Sequence, residues 1–155
     1  MTIYQKFIDT LLIILALIAL LWISQANAET GVSFTTVSHH FQTKEGNNSP
    51  KYNDLNLGIG VYWAGQDFGA DLVTYVNSFS RNTIALTGSW EPLQWEYVQA
   101  GAFLGVASGY EHPYVGGGYL QVRVEKVAVR VIAIPKAGNT KNSATSLTLQ
   151  GRVSF

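Results

Sequence analysis

The chain has 155 residues, ten basic and ten acidic side chains, 47% hydrophobic and 12% aromatic residues, and no cysteine. Balanced charge leaves no basic footprint for nucleic acid, and the lack of cysteine excludes disulfides, thiol catalysis and Cys-ligated zinc. That length, once an export segment is removed, holds one domain of about eight strands of membrane-crossing length, at about 9 to 11 residues each.

The first element is an export signal. Lys6 precedes an apolar run from Leu11 to Ile23, followed by Ser24, Gln25 and the small-residue site Ala26-Asn27-Ala28. The run is short for a span of about 20 residues, and its Ala-x-Ala ending favours cleavage over retention as an anchor. Residues 1–28 are therefore expected to be a signal peptide and residues 29–155 an outer-membrane β-barrel.

Eight strand-like segments rich in Val, Ile, Leu, Thr and aromatics follow. They are expected at Val32 to Phe41, Leu55 to Trp63, Phe68 to Val76, Thr83 to Trp90, Trp95 to Ala107, Gly116 to Val124, Lys126 to Ile134 and Ala144 to Phe155. In the second, Leu55, Leu57, Ile59, Val61 and Trp63 share one face, with Asn56, Gly58, Gly60 and Tyr62 on the other. The last strand alternates in the same way. Lipid outside and polar groups inside give this pattern, because backbone groups in hydrocarbon are satisfied only by closure. A soluble sandwich, or a lipid-binding barrel of lipocalin type with apolar side chains inside, is the competing reading.

Connections alternate in length. Ala64-Gly65-Gln66, Glu91-Pro92-Leu93-Gln94 and the reversal at Glu125 are short; Gln42 to Asp54, Asn77 to Asn82, Ser108 to Val115 and Pro135 to Ser143 are longer and polar. The expected fold is thus an all-β, eight-stranded antiparallel up-and-down transmembrane barrel. Its turns are periplasmic, its loops extracellular, and its location is the bacterial outer membrane. Arg123, Arg130 and Glu96 fall near the periplasmic turns, where paired charges would plug a small lumen rather than line a channel.

On the long-loop rim stand His39 and His40, Asn77 and Ser78, and Glu111 and His112. A serine beside a histidine suits acyl transfer, the imidazole taking the hydroxyl proton; Ser and Asn are also ordinary turn residues. Adjacent histidines point to opposite faces, and His40 is the inward candidate because Val37, His39 and Phe41 then share the outer face. A zinc site from His40, His112 and Glu111 or Asp54 lacks the usual ligand spacing.

Together these residues resemble the outer-membrane lipid A palmitoyltransferases, the PagP family. The likeness rests on a histidine ending strand one, Tyr52-Asn53-Asp54 before Gly58 and Gly60, and Ser78 after strand three. Gly88, Trp90 and Pro92 at the next hairpin, Ile134-Pro135 ending the penultimate strand, and the terminal Phe155 complete it. The resemblance implies acyl transfer from a phospholipid donor to lipid A, without cofactor or metal, by a monomeric barrel whose partners are membrane lipids. It places the family's histidine on His40 or His39 and its serine on Ser78. Asn77 occupies the position of the family's aspartate, and an amide orients without acting as a base; Asp54, Asp71 and Glu111 are the carboxylates that might substitute. Pro135 matches a proline beside a lateral opening. The family's amphipathic helix before strand one is not matched, since few residues separate Ala28 from Val32. The competing function is a catalytically silent barrel for surface binding or envelope stability. A lipid A deacylase is disfavoured because no His-x-Ser pair lies on a late strand.

Overall fold

The computed structural model of the chain describes residues 28–41, 52–110, 112–136 and 144–155; the expected signal peptide lies almost wholly outside the described residues. Eight strands run β1 (Glu29–Phe41), β2 (Leu55–Ala64), β3 (Phe68–Val76), β4 (Asn82–Gln94), β5 (Val98–Ala107), β6 (Tyr114–Val124), β7 (Val127–Ile134) and β8 (Thr145–Ser154). Each pairs antiparallel with its sequence neighbour, and β1 pairs with β8 to close the barrel.

β-Branched and aromatic residues in a two-residue period make these segments strands, and closure decides which way each face looks. Among the described residues fifteen buried side chains are polar or charged and six are hydrophobic, whereas Leu57, Ile59, Val61, Leu72, Ile84 and Leu104 are exposed. That distribution is the reverse of a soluble barrel and removes the lipocalin reading. Phe68, Trp90, Trp95 and Tyr97 are exposed near the short-turn end, and Phe41 and Tyr114 near the other, as in the aromatic girdles at both membrane interfaces. The barrel is an outer-membrane barrel, with short turns periplasmic and long loops outside.

The hairpin after β4 differs from expectation. Instead of turning at Glu91 to Gln94, β4 continues to Gln94, the register shifts between Trp90 and Leu93, and the chain reverses at Trp95, whose N–H donates to Val98 O at 2.8 Å. Proline offers no ladder donor, so Pro92 sits at this bulge rather than closing the turn. The bulge leaves Glu91 only 5% exposed.

Glu91 takes the place expected of Glu96, which is exposed in the turn. The Arg130 guanidinium reaches Glu91 Oε1 at 3.2 Å and Asp71 Oδ2 at 3.7 Å, and donates from Nε to Gln121 Oε1 at 3.0 Å. Arg152 pairs with the same Asp71. The two guanidinium groups lie over the rings of Tyr119 and Tyr62, at 3.7 and 4.4 Å from the centroids. Arg123 pairs separately with Glu29 at the periplasmic mouth. Asp71 therefore belongs to this plug and not to the rim, which removes it as a substitute for the rim carboxylate. Two positive and two negative groups cancel inside the lower lumen and cross it.

Replacing Arg152 by Ala leaves the buried Asp71 with only the more distant Arg130, so unfolding of the refolded barrel in urea should lose stability, by up to about 3 to 5 kcal/mol. Leu72 sits at the middle of β3 on the outer face. Leu72→Arg should cost about 2 to 4 kcal/mol for unfolding from phospholipid vesicles followed by tryptophan fluorescence; a side chain in water would leave stability almost unchanged.

Candidate functional site at the extracellular rim

Strict alternation from Ser33 and Thr35 would turn Val37 and His39 inward. The register of β1 instead shifts against both neighbours, between Thr35 and Val37 on the β2 side and between Thr35 and Ser38 on the β8 side. The extra residue inverts every following face. Ser38 is buried, His39 is exposed beside Phe41 with ring centroids 4.8 Å apart, and the His40 side chain is 8% exposed.

Ser78 lies in the turn after β3. Asn77, fully buried, shapes that turn: its side-chain oxygen accepts from the N–H groups of Phe79 at 2.9 Å and Arg81 at 3.0 Å, while its amide nitrogen donates to Thr83 Oγ1 at 2.9 Å and Gly109 O at 3.3 Å. Its side chain bonds to its own turn, to Thr83 at the start of β4 and to Gly109, with no bond to His40. Ser78 Oγ lies 2.7 Å from His40 Nε2, and His40 Nδ1 lies 2.9 Å from Asp54 Oδ1. With the ring proton on Nδ1, the carboxylate holds the tautomer and Nε2 accepts from the serine hydroxyl.

The tripeptide before β2 supplies three contacts to this arrangement. The Tyr52 ring stacks on His40, centroids 4.6 Å apart and 19° from parallel. The Asn53 N–H donates to Ser78 O at 2.8 Å, and the Ser38 N–H donates to Asp54 O at 2.8 Å, which ties the carboxylate-bearing residue to β1. The Asp54 side chain is 64% exposed, so its hold on the imidazole is screened by water. Glu111 lies outside the described residues, and His112 is exposed on the rim. No group of three metal-ligating side chains occurs among the described residues.

Below Ser78 a cavity opens into the upper lumen, walled by Val73, Tyr75, Ala85, Phe103 and Ile132 and floored by Arg130 and Asp71. Gly58 helps to make its width: a Cβ there would meet the Tyr75 Cβ and Thr35 Oγ1, each at 2.4 Å. A second pocket joins His40, Ser78 and Tyr110 to Tyr114, Ile134 and Pro135. At that side the β6–β7 ladder stops at Gly118 and Ala133, and among the described residues those at 114–117 of β6 pair only with β5. Pro135 thus follows a strand that ends before the full length of β6 is paired.

The sequence brought His40 and Ser78 forward as a pair and left Asp54 among several possible carboxylates; Tyr75 and Tyr110 carried no signal of their own. The same Tyr-Asn-Asp tripeptide that marked the resemblance could have raised Asp54 above Asp71 and Glu111.

No known family profile matches the chain, and no curated protein matches it. Among solved structures the chain is similar to the outer membrane protein Ail of Yersinia pestis in a phospholipid bilayer nanodisc, with 14% identity over 83% of this chain and 100% of that one and a TM-score of 0.48.

Asn77 uses its amide as donor and acceptor at once, which a carboxylate cannot do. Asn77→Asp should therefore destabilise the barrel by about 1 to 3 kcal/mol in denaturant unfolding, by facing a charged oxygen toward Gly109 O, instead of improving the site.

Proposed function

We propose that this barrel is a serine acyltransferase of the outer membrane, moving an acyl chain from a phospholipid to lipid A. The contact that carries the reading is the chain of bonds from Ser78 Oγ through His40 to Asp54, at 2.7 and 2.9 Å. Donor phospholipid reaches the rim through the gap beside Pro135, with its tail in the apolar upper lumen. The Ser78 oxygen attacks the ester carbonyl, a carbon–oxygen bond forms, and the hydroxyl proton passes to His40 Nε2. Collapse expels the lysophospholipid alkoxide, which takes that proton back from His40. A lipid A hydroxyl then gives its proton to His40 and attacks the acyl-serine carbonyl; the bond to Ser78 Oγ breaks, the serine oxygen takes the proton back from His40, and acylated lipid A leaves. Every step uses a base, a nucleophile and an ester, so neither metal nor cofactor enters, and a monomeric barrel contains all the parts. Lipid A as the acceptor comes from the family resemblance; the serine–histidine–carboxylate geometry supports acyl-ester chemistry in general.

A second reading, a non-catalytic barrel serving surface binding or envelope stability, is favoured by one observation. The Asp54 carboxylate is 64% exposed, whereas the orienting carboxylate of a serine–histidine pair is usually buried.

Purified barrel in mixed micelles with radiolabelled phospholipid and lipid A separates the two readings, with mass spectrometry of lipid A from expressing cells as the parallel measurement. Ser78→Ala and His40→Ala should lower turnover by about 1000-fold or more, and Asp54→Asn, whose partner is water-screened, by about 10- to 100-fold. Equal acyl transfer by wild type and Ser78→Ala would remove the proposal.

A further inference from the structure

Attack on an ester places negative charge on the carbonyl oxygen, and the Ser78–His40–Asp54 chain offers that oxygen no donor. Efficient acyl transfer needs donors fixed in advance about 3 Å from where the oxyanion forms. Two such groups converge on Ser78. Tyr110 lines the same two pockets as Ser78 and His40, and its hydroxyl lies 3.3 Å from that of Tyr75. Among the described residues no backbone carbonyl accepts from the Ser78 N–H, so this backbone donor is available beside the Ser78 hydroxyl.

The arrangement is held from several sides. Gly109 takes φ of 79°, a Cβ there would meet Thr83 Oγ1 at 2.9 Å, and its carbonyl accepts from Asn77. The residue next to Tyr110 is thereby pinned to the residue next to Ser78. The rings of Tyr75 and Tyr110 pack against Val73, Ala85 and Ala107, and the Tyr110 ring meets Phe79 edge-on at 6.1 Å. Burial pushes the Tyr110 hydroxyl above the ordinary tyrosine range, so it keeps its proton at neutral pH and remains a donor. Both tyrosines and Ser78 line the cavity that leads down from the rim.

We propose that Tyr110, with the Ser78 N–H, forms the oxyanion pocket of this site, and that Tyr75 orients the Tyr110 hydroxyl from behind. Tyr110 is then a catalytic residue and Tyr75 a positioning residue. The ester oxygen enters between the Ser78 N–H and the Tyr110 O–H and accepts from both as the carbonyl π pair moves onto it. The inference rests on Ser78 being the nucleophile.

The test uses the full barrel in detergent, a nitrophenyl ester of a medium-chain fatty acid as substrate, and an alkyl fluorophosphonate as covalent label. Tyr110→Phe should lower kcat by about 100- to 1000-fold with KM within about threefold, and slow phosphonylation of Ser78 in parallel, because the attacked phosphoryl oxygen needs the same donors. Tyr75→Phe should lower kcat by about 3- to 10-fold. A fluorinated tyrosine at position 110 keeps the packing and makes the hydroxyl more acidic, so it covers the case in which Tyr110→Phe does not fold. It should change kcat and leave KM in place.

An unchanged kcat with the fluorinated residue, or Tyr110→Phe within about threefold of wild type while Ser78→Ala is inactive, overturns the oxyanion role and leaves the serine reading standing. Wild type with no Ser78-dependent turnover and no adduct on Ser78 overturns both.

Discussion

Closure of the β1–β8 ladder is the constraint on which everything else depends. In hydrocarbon a strand edge has no water to satisfy its N–H and C=O groups, so a sheet that crosses a membrane has to meet itself. Once it does, the two faces of each strand acquire different solvents. The outer face is apolar because lipid wets it. The inner face can hold Asp71, Glu91, Arg130 and Arg152, because each finds an opposite charge or an aromatic face across the lumen. None of these groups neighbours its partner in sequence; they meet only because the cylinder is narrow.

The same narrowness divides the lumen. The charged network crosses the lumen, while Val73, Phe103 and Ile132 leave an apolar cavity above it that reaches the outer rim. That polar network is thus also the floor of a space suited to a hydrocarbon tail. The polar contacts at the top of that space come from separate segments of the chain. β1 brings His40, the tripeptide before β2 brings Asp54 and Tyr52, and the turn after β3 brings Ser78, with Asn77 binding that turn to Gly109 and so to Tyr110.

Most of the fold was readable in the chain because period-two patterning and the alternation of short and long connections are local signals. β3 lies at Phe68–Val76 as read from sequence, and the tight reversal at Glu125 is a two-residue turn with positive φ at that residue. What escaped was local irregularity. Pro92 was taken for a turn residue and sits in a bulge, since proline satisfies either environment equally well. Glu96 was taken for a partner of the lumen arginines, whereas the bulge buries Glu91 instead. Asp54 stood among equals because sequence separation says nothing of which carboxylate crosses a barrel mouth.

The amino-acid sequence by itself determined the class of solvent on each face, the number of strands and the end of the barrel that carries long loops, because each of these follows from composition and periodicity along the chain. Tertiary structure alone decided which carboxylate faces His40, where the register of β1 shifts beyond Thr35, and which two tyrosine hydroxyls meet above the cavity. The reason is geometric. A two-residue period fixes faces only until one extra residue inverts them, and contacts across a closed cylinder depend on the register of all eight strands at once.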